Sequence, residues 1–191
     1  SPDIPGRSAF AQELFKAEQY VDMVLGYLRI GSIHADLSPQ EVPLEALVRE
    51  SVKKVSTLFI HQKSTTLQIS SLPGTVLTDK KWFSFVLEQI LTNAAKYTPR
   101  GTVRVYLAKD SPDTLVVEDT GLGIRAEDLP RIFERGFTGY NGREDKKSTG
   151  IGLYLCRRVM DRLNHGISIV SRPGQGTLVR LDLSRGRRVV E

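Results

Sequence analysis

An α+β two-layer sandwich, a mostly antiparallel sheet packed against helices, is the fold class that the sequence predicts. Three observations carry it. Strand-like runs come in neighbouring pairs around turn signals, at 101–108 with 113–119 and at 166–171 with 176–184. Stretches at 44–61, 80–97 and 150–164 have the apolar spacing of amphipathic helices. The order of these segments lacks the strand–helix–strand rhythm of a doubly wound parallel sheet.

Composition sets the bounds. With 191 residues, 40% hydrophobic and 26% charged, the chain can form one ordinary domain with a core, plus an appendage. No apolar run approaches the ~20 residues of a membrane-spanning helix, so no membrane segment is expected within it. The net charge of +5 comes partly from Arg185, Arg187 and Arg188 in the tail SRGRRVVE. Aromatic residues are only 7% and the other basic residues are scattered, which argues against nucleic acid as a partner. The single cysteine, Cys156, excludes an internal disulfide and a thiolate metal cluster. It falls in a helical apolar pattern and reads as a buried structural thiol.

In chain order, residues 1–6 (SPDIPG) cannot continue a helix. From there Phe10, Leu14, Ala17, Val21, Val24 and Leu28 follow spacings of 4, 3, 4, 3 and 4, a heptad seam that Gly31 ends. Within residues 1–31 the helix from Phe10 thus reads as coiled-coil-like; its partner is another copy of the chain or an upstream helix, the alternative being its own domain. Residues 32–43 form a polar, proline-bearing linker, and 44–185 the main domain. After the helix 44–61, TTLQISSL and GTVLTD read as a hairpin of short strands. Asp79 is the expected N-cap of the helix KKWFSFVLEQILTNAAKYT, which Pro99 stops. GTVRVYLA and DTLVVED are strands joined by the turn KDSPD. AEDLPRIFERG reads as a short helix and GIGLYLCRRVMDRLN as a longer one. A final hairpin, GISIVS and GTLVRLDLS, closes around RPGQG, and 186–191 is a basic tail.

The chemistry concentrates in two places. On the helix 80–97, Gln89, Asn93 and Lys96 fall at i, i+4 and i+7 and share one face, while Trp82, Phe83, Val86, Ile90, Leu91 and Ala94 point to the core. Such a stripe can simply face solvent. Yet the amide oxygen of Asn93 is a hard ligand suited to Mg²⁺, and the Lys96 ammonium suits phosphate oxygens. The second place is the glycine-punctuated run 116–155. A strand delivers Asp119 directly before Gly121 and Gly123, where the absence of Cβ allows close approach to a flat ligand. A carboxylate there can accept from an exocyclic amine such as that of adenine. STGIGL then sets Gly150 and Gly152 at the opening of a helix, a position that favours phosphate. The stretch between carries Arg125, Arg131, Arg135, Arg143, Lys146 and Lys147, and reads as a lid charged opposite to a triphosphate.

The ordered segments EQILTNAAKYT, EDTGLGI, IFERGFTG, STGIGLYL and GQGT resemble the N, G1, F, G2 and GT boxes of sensor histidine kinases. Those kinases share a GHKL (Bergerat-type) ATP-binding fold with Hsp90, type II topoisomerases and MutL. The likeness covers residues 40 to 184, and FVLEQILTNAAKYT with STGIGLYL is most similar to the Bce-type kinases that answer cell-wall antibiotics. It implies a five-stranded mixed sheet covered by three helices, with ATP and Mg²⁺ as ligands. By the same resemblance Asn93 holds Mg²⁺, Lys96 and Tyr97 hold phosphate and nucleotide, and Asp119 reads the adenine amine with Gly121, Gly123 and Ile124 around it. Phe133 and Phe137 mark the lid, and Arg135, Lys146 and Lys147 approach the phosphates. Thr149, Gly150, Ile151, Gly152 and Leu153 form the phosphate loop, and Thr177 backs the adenine.

Two departures stand out. Gln89 occupies a place where many relatives have asparagine, and Ser148 a place often held by glycine. Glu88 is a rival to Gln89 as the catalytic residue, since a glutamate on this helix activates water in the ATPase branches. It lies about 140° around the helix from Asn93, against about 40° for Gln89, which favours Gln89. The three histidines, His34, His61 and His165, lack the context of a phosphoacceptor and read as surface residues. The chain is therefore expected to begin after the acceptor helix, with the heptad helix as the second arm of a dimerisation hairpin. The resemblance also implies a homodimer, a response regulator, an ABC transporter as membrane partner, and a cytoplasmic place in a membrane-anchored protein. An ATP-hydrolysing relative and a degenerate nucleotide-binding dimerisation module are the alternatives.

Overall fold

The computed structural model describes residues 37–61, 64–140, 142 and 149–184, with helical positions at 14, 17, 21, 24 and 25. In order come β1 (Gln40–Pro43), α1 (Leu44–His61), β2 (Thr65–Ile69), β3 (Thr75–Thr78), α2 (Lys80–Tyr97), β4 (Gly101–Ala108), β5 (Ser111–Asp119), a 3₁₀ turn (Leu129–Arg131), α3 (Gly152–Arg162), β6 (Gly166–Arg172) and β7 (Gly176–Asp182). Five strands form one sheet in the order β2-β4-β5-β7-β6, in which only β2 and β4 run parallel. The mixed sheet with three helices is the α+β arrangement that the sequence predicts.

The middle helix, α2, organises the core. Asp79 caps it as expected, its carboxylate accepting from Trp82 N–H at 3.0 Å. Trp82, Phe83, Val86, Leu87, Ile90, Leu91, Ala94 and Ala95 are buried, every apolar residue assigned to the core among them. Helix α1 packs along one flank of α2 and α3 along the other. From α1 come Leu47, Val48 and Val55; from α3, Leu155, Val159 and Met160; from the sheet, Val103, Val105, Val117 and Leu181. Cys156 lies in this core, fully buried, and burial pushes its thiol up to about 12, so it is inert.

Helix α3 ends without glycine. Asn164 adopts φ 59°, Asn164 N–H bonds to Asp161 O, and His165 N–H bonds to Met160 O at 2.8 Å. That is a Schellman closure with asparagine in the left-handed position.

Five expectations need correction. The segments 65–69 and 75–78 are not a hairpin: β2 joins the main sheet parallel to β4, and β3 pairs antiparallel with β1. Strand β1 lies inside the span read as linker, and Ser38 N–H reaches the Asp79 carboxylate at 2.9 Å. The helix expected at 126–136 is only a three-residue 3₁₀ turn: Pro130 would fall inside that span, where it has no N–H for the Ala126 carbonyl and its ring crowds it. His165 is not a surface residue; it is 3% exposed, edge-on to Phe83, with Nε2 3.1 Å from Thr78 Oγ1. The strand β5 also begins at Ser111, within the span read as a turn.

Leu14, Ala17, Val21 and Val24 of the heptad seam are helical and exposed. Phe10, Leu28, Gly31, His34 and the tail arginines lie outside the described residues.

Candidate functional site

The site is assembled around the outer side of α2. Its polar stripe, Gln89, Asn93 and Lys96, is half-buried, between the core residues and open solvent. Lys96 Nζ lies 4.9 Å over the ring of Tyr97.

One end of the stripe meets the end of β5. Register places Asp119 opposite Thr177 of β7. Its Oδ1 accepts from Gly121 N–H at 2.8 Å and from Thr177 N–H at 3.3 Å. Asp119 is 7% exposed, and burial raises its pKa while those amide hydrogen bonds hold it partly back. The loop after it turns back onto α2, Leu122 N–H bonding to Tyr97 O at 2.9 Å. A side chain on Gly121 would strike that same Tyr97 carbonyl, and one on Gly123, at φ 69°, would strike Arg172 O. The glycines therefore permit close contacts of chain on chain, which the sequence pattern alone does not reveal. A residue missed in the sequence ties the loop down: Ser171 Oγ accepts from Ile124 N–H at 2.8 Å, donates to Gly176 O at 2.7 Å and lies 3.0 Å from Thr177 Oγ1. Only the pairing of β6 with β7 reveals it, since Ser171 stands opposite Thr177.

The other end meets the start of α3. A Cβ on Gly152 would sit 3.0 Å from Gln89 Oε1, so Gln89 faces the opening of that helix. No side chain caps it: Ile151 holds the N-cap position, and Thr149 Oγ1 receives Ile151 N–H at 3.4 Å. Gly150, at φ 66°, is pressed against Gly136 and Phe137, and Gly136 N–H bonds to Gly150 O at 3.0 Å. Leu153 is half-buried. About 12 Å of helix rise separates Gln89 from Tyr97, so a groove joining the two ends would be elongated.

Not every candidate joins the groove. Glu88 is drawn to α1, where its carboxylate pairs with Lys54 Nζ at 2.7 Å. That assigns it to the helix–helix seam and away from the opening of α3. Arg125 lies 3.5 Å over the Tyr140 ring, Arg131 4.4 Å over Phe137 and Arg157 5.6 Å over Phe133. Arg125 and Arg131 thus clasp aromatic rings of their own segment. Phe133 packs on the core. Arg135 is exposed, and Arg143, Lys146, Lys147 and Ser148 lie outside the described residues. Among the described residues no cluster of three His, Cys, Asp or Glu could hold a metal ion. A Mg²⁺ here would rest on the amide oxygen of Asn93, beside Gln89, with phosphate and water completing its shell.

Residues 78–187 match the family described as Histidine kinase-, DNA gyrase B-, and HSP90-like ATPase. The chain belongs to that family. Sensor histidine kinase YxdK of Bacillus subtilis is 32% identical over 181 residues, covering 93% of this chain and 56% of that protein. Sensor protein BceS of the same organism is 34% identical over 176 residues, covering 92% and 52%. The resemblance to sensor histidine kinases of Bce type is therefore sound. The chain spans about half the length of these relatives. Full-length ShkA, solved in complex with AMPPNP, superposes with a TM-score of 0.70 over 95% of this chain and 39% of its own, at 21% identity. That likeness confirms the fold.

Proposed function

We propose that this chain is the ATP-binding catalytic domain, residues 44–185, of a membrane-anchored sensor histidine kinase, preceded by the second arm of a dimerisation hairpin (1–31) and a linker (32–43). One observation carries the reading: the polar stripe of α2 runs from a buried carboxylate loop beside Tyr97 to the uncapped N-terminus of α3 beside Gln89. A purine amine suits Asp119, and phosphate suits the Gly150–Gly152 amides.

Phosphoryl transfer depends on alignment and charge neutralisation more than on covalent participation of the protein. Thr177 and Ile124 flank the adenine, and Tyr97 the nucleoside. Lys96, Arg135, Lys146 and Lys147 balance phosphate charge, and Asn93 with Gln89 orients the terminal phosphate. Bound Mg²⁺ would supply further neutralisation there. The acceptor histidine stands on a segment outside this sequence, and a response-regulator aspartate takes the phosphoryl next. The exposed Leu14, Ala17, Val21 and Val24 supply the homodimer seam. Relatives of Bce type make an ABC transporter the fitting membrane partner. Among the described residues no helix is long and apolar enough to cross a membrane.

Titration calorimetry with Mg·ATP tests the site. The wild-type chain is expected to bind, and Asn93→Ala to lose the Mg²⁺-dependent part; identical isotherms would remove Asn93 from the site. Joining an acceptor-helix segment should then yield acid-labile phosphate. The hydrolytic alternative needs Glu88 as base, and its pairing with Lys54 speaks against that. Steady phosphate release abolished by Glu88→Gln would restore it.

A further inference from the structure

Asp128 is a cap residue that does not cap. It stands at the N-cap of the 3₁₀ turn without making the side-chain bond, and yet it is only 6% exposed. Its backbone is already engaged, N–H to Arg125 O at 3.0 Å and O from Arg131 N–H at 2.9 Å. The carboxylate reaches twelve residues forward, Oδ2 accepting from Tyr140 N–H at 3.0 Å. The same oxygen lies 3.0 Å from where a side chain on Gly139 would begin. From the outer side, the Arg125 guanidinium covers the Tyr140 ring. Burying a carboxylate is costly unless its hydrogen bonds hold it, so this one fastens residues 139–140 to the 125–131 turn. Between the fastened segments runs the turn that presses Gly136 and Phe137 against Gly150, two residues before α3.

We infer that Asp128 is a positioning residue for the phosphate end of the groove. By holding residues 139–140 it sets the pose of Gly136 and Phe137, and through them of Gly150 and the first amides of α3. The inference rests on the nucleotide-site reading and deepens it: a residue with no place at the ligand governs how tightly phosphate is held. Nothing in this chain of contacts reaches Asp119, so the purine end should not respond.

Affinities of the full chain for Mg·AMPPNP and for adenosine, measured separately beside a melting curve, test it. Asp128→Ala is expected to weaken AMPPNP about tenfold while adenosine binds as before. Asp128→Asn keeps an acceptor oxygen and should restore most of the loss. Gly139→Ala leaves the carboxylate in place but crowds it, and should give the same split with a smaller loss even if Asp128→Ala does not fold. Equal weakening of both ligands would overturn the inference, as would wild-type AMPPNP affinity in both Asp128→Ala and Gly139→Ala. In those cases the site reading survives, because the wild type still binds. A wild type that binds neither ligand would sink both.

Discussion

The two ends of the groove are built differently. At the end proposed for the purine, strand register sets the partners: Asp119, Thr177 and Ser171 lie side by side because β5, β7 and β6 do. At the phosphate end, turn against turn does the work, with Gly136 on Gly150, Tyr140 on Asp128 and arginines laid over aromatic rings. A sheet holds its register cooperatively, whereas contacts between turns can be lost one at a time. The first end is suited to selecting a ligand, the second to adjusting around one.

The most forceful way to break that contrast is a matched pair of glycine substitutions. Gly123→Ala places a Cβ on a backbone carbonyl at positive φ, and should cost about 4 kcal/mol of stability in denaturant unfolding. Gly136→Ala has the same sign of φ with nothing within 4 Å of the new atom, and should cost only about 1 kcal/mol. Equal costs would mean that the purine loop is no more rigid than the other.

Asp119→Asn sharpens the comparison next. Losing a charged acceptor for the amine should weaken ATP about thirtyfold, while inosine triphosphate, which lacks that amine, should change little. Because burial raises the pKa of Asp119, its ionised form is held at a cost near neutral pH, and the neutral amide should raise the melting temperature. Lower stability together with unchanged ATP affinity would contradict both statements.

The smallest effect is one of pH, at the far end of α3. Burial lowers the pKa of His165 to about 4, with Asp182 pulling the other way. Below the ordinary value near 6.5 the unfolded chain takes up a proton that the folded chain refuses. Stability should therefore fall as pH drops from about 6.5 towards 4, by about 1 kcal/mol between pH 6.5 and 5.5. His165→Leu should flatten that slope in pH-dependent thermal unfolding. A slope that persists in the variant would place its origin in another group.

Much of this was legible in the sequence, for reasons that particular residues make plain. The α2 core positions followed from period, Asp79 from capping chemistry, and Asp119 with Gly150 and Gly152 from motif order. Pairing of distant short strands was hidden: β1 and β3 are four residues each, and nothing local tells β3 to choose β1 over its neighbour β2. The fate of single charges was hidden too. Helical angle separated Glu88 from Asn93, but only the position of α1 supplied Lys54. His165 reads as polar and terminal, yet the Schellman closure of α3 turns it inward. Arg125 and Arg131 counted towards a lid charged opposite to a triphosphate, and counting charge does not show which rings lie beneath them.

The stitch between Ser38 and the cap of α2 has a mechanical consequence. A chain segment entering at residue 38 is fastened to the foot of a stiff rod about 27 Å long, whose tip at Tyr97 bears on the loop after Asp119. The incoming segment and the loop after Asp119 thus touch opposite ends of one helix, held in place between them by its buried face.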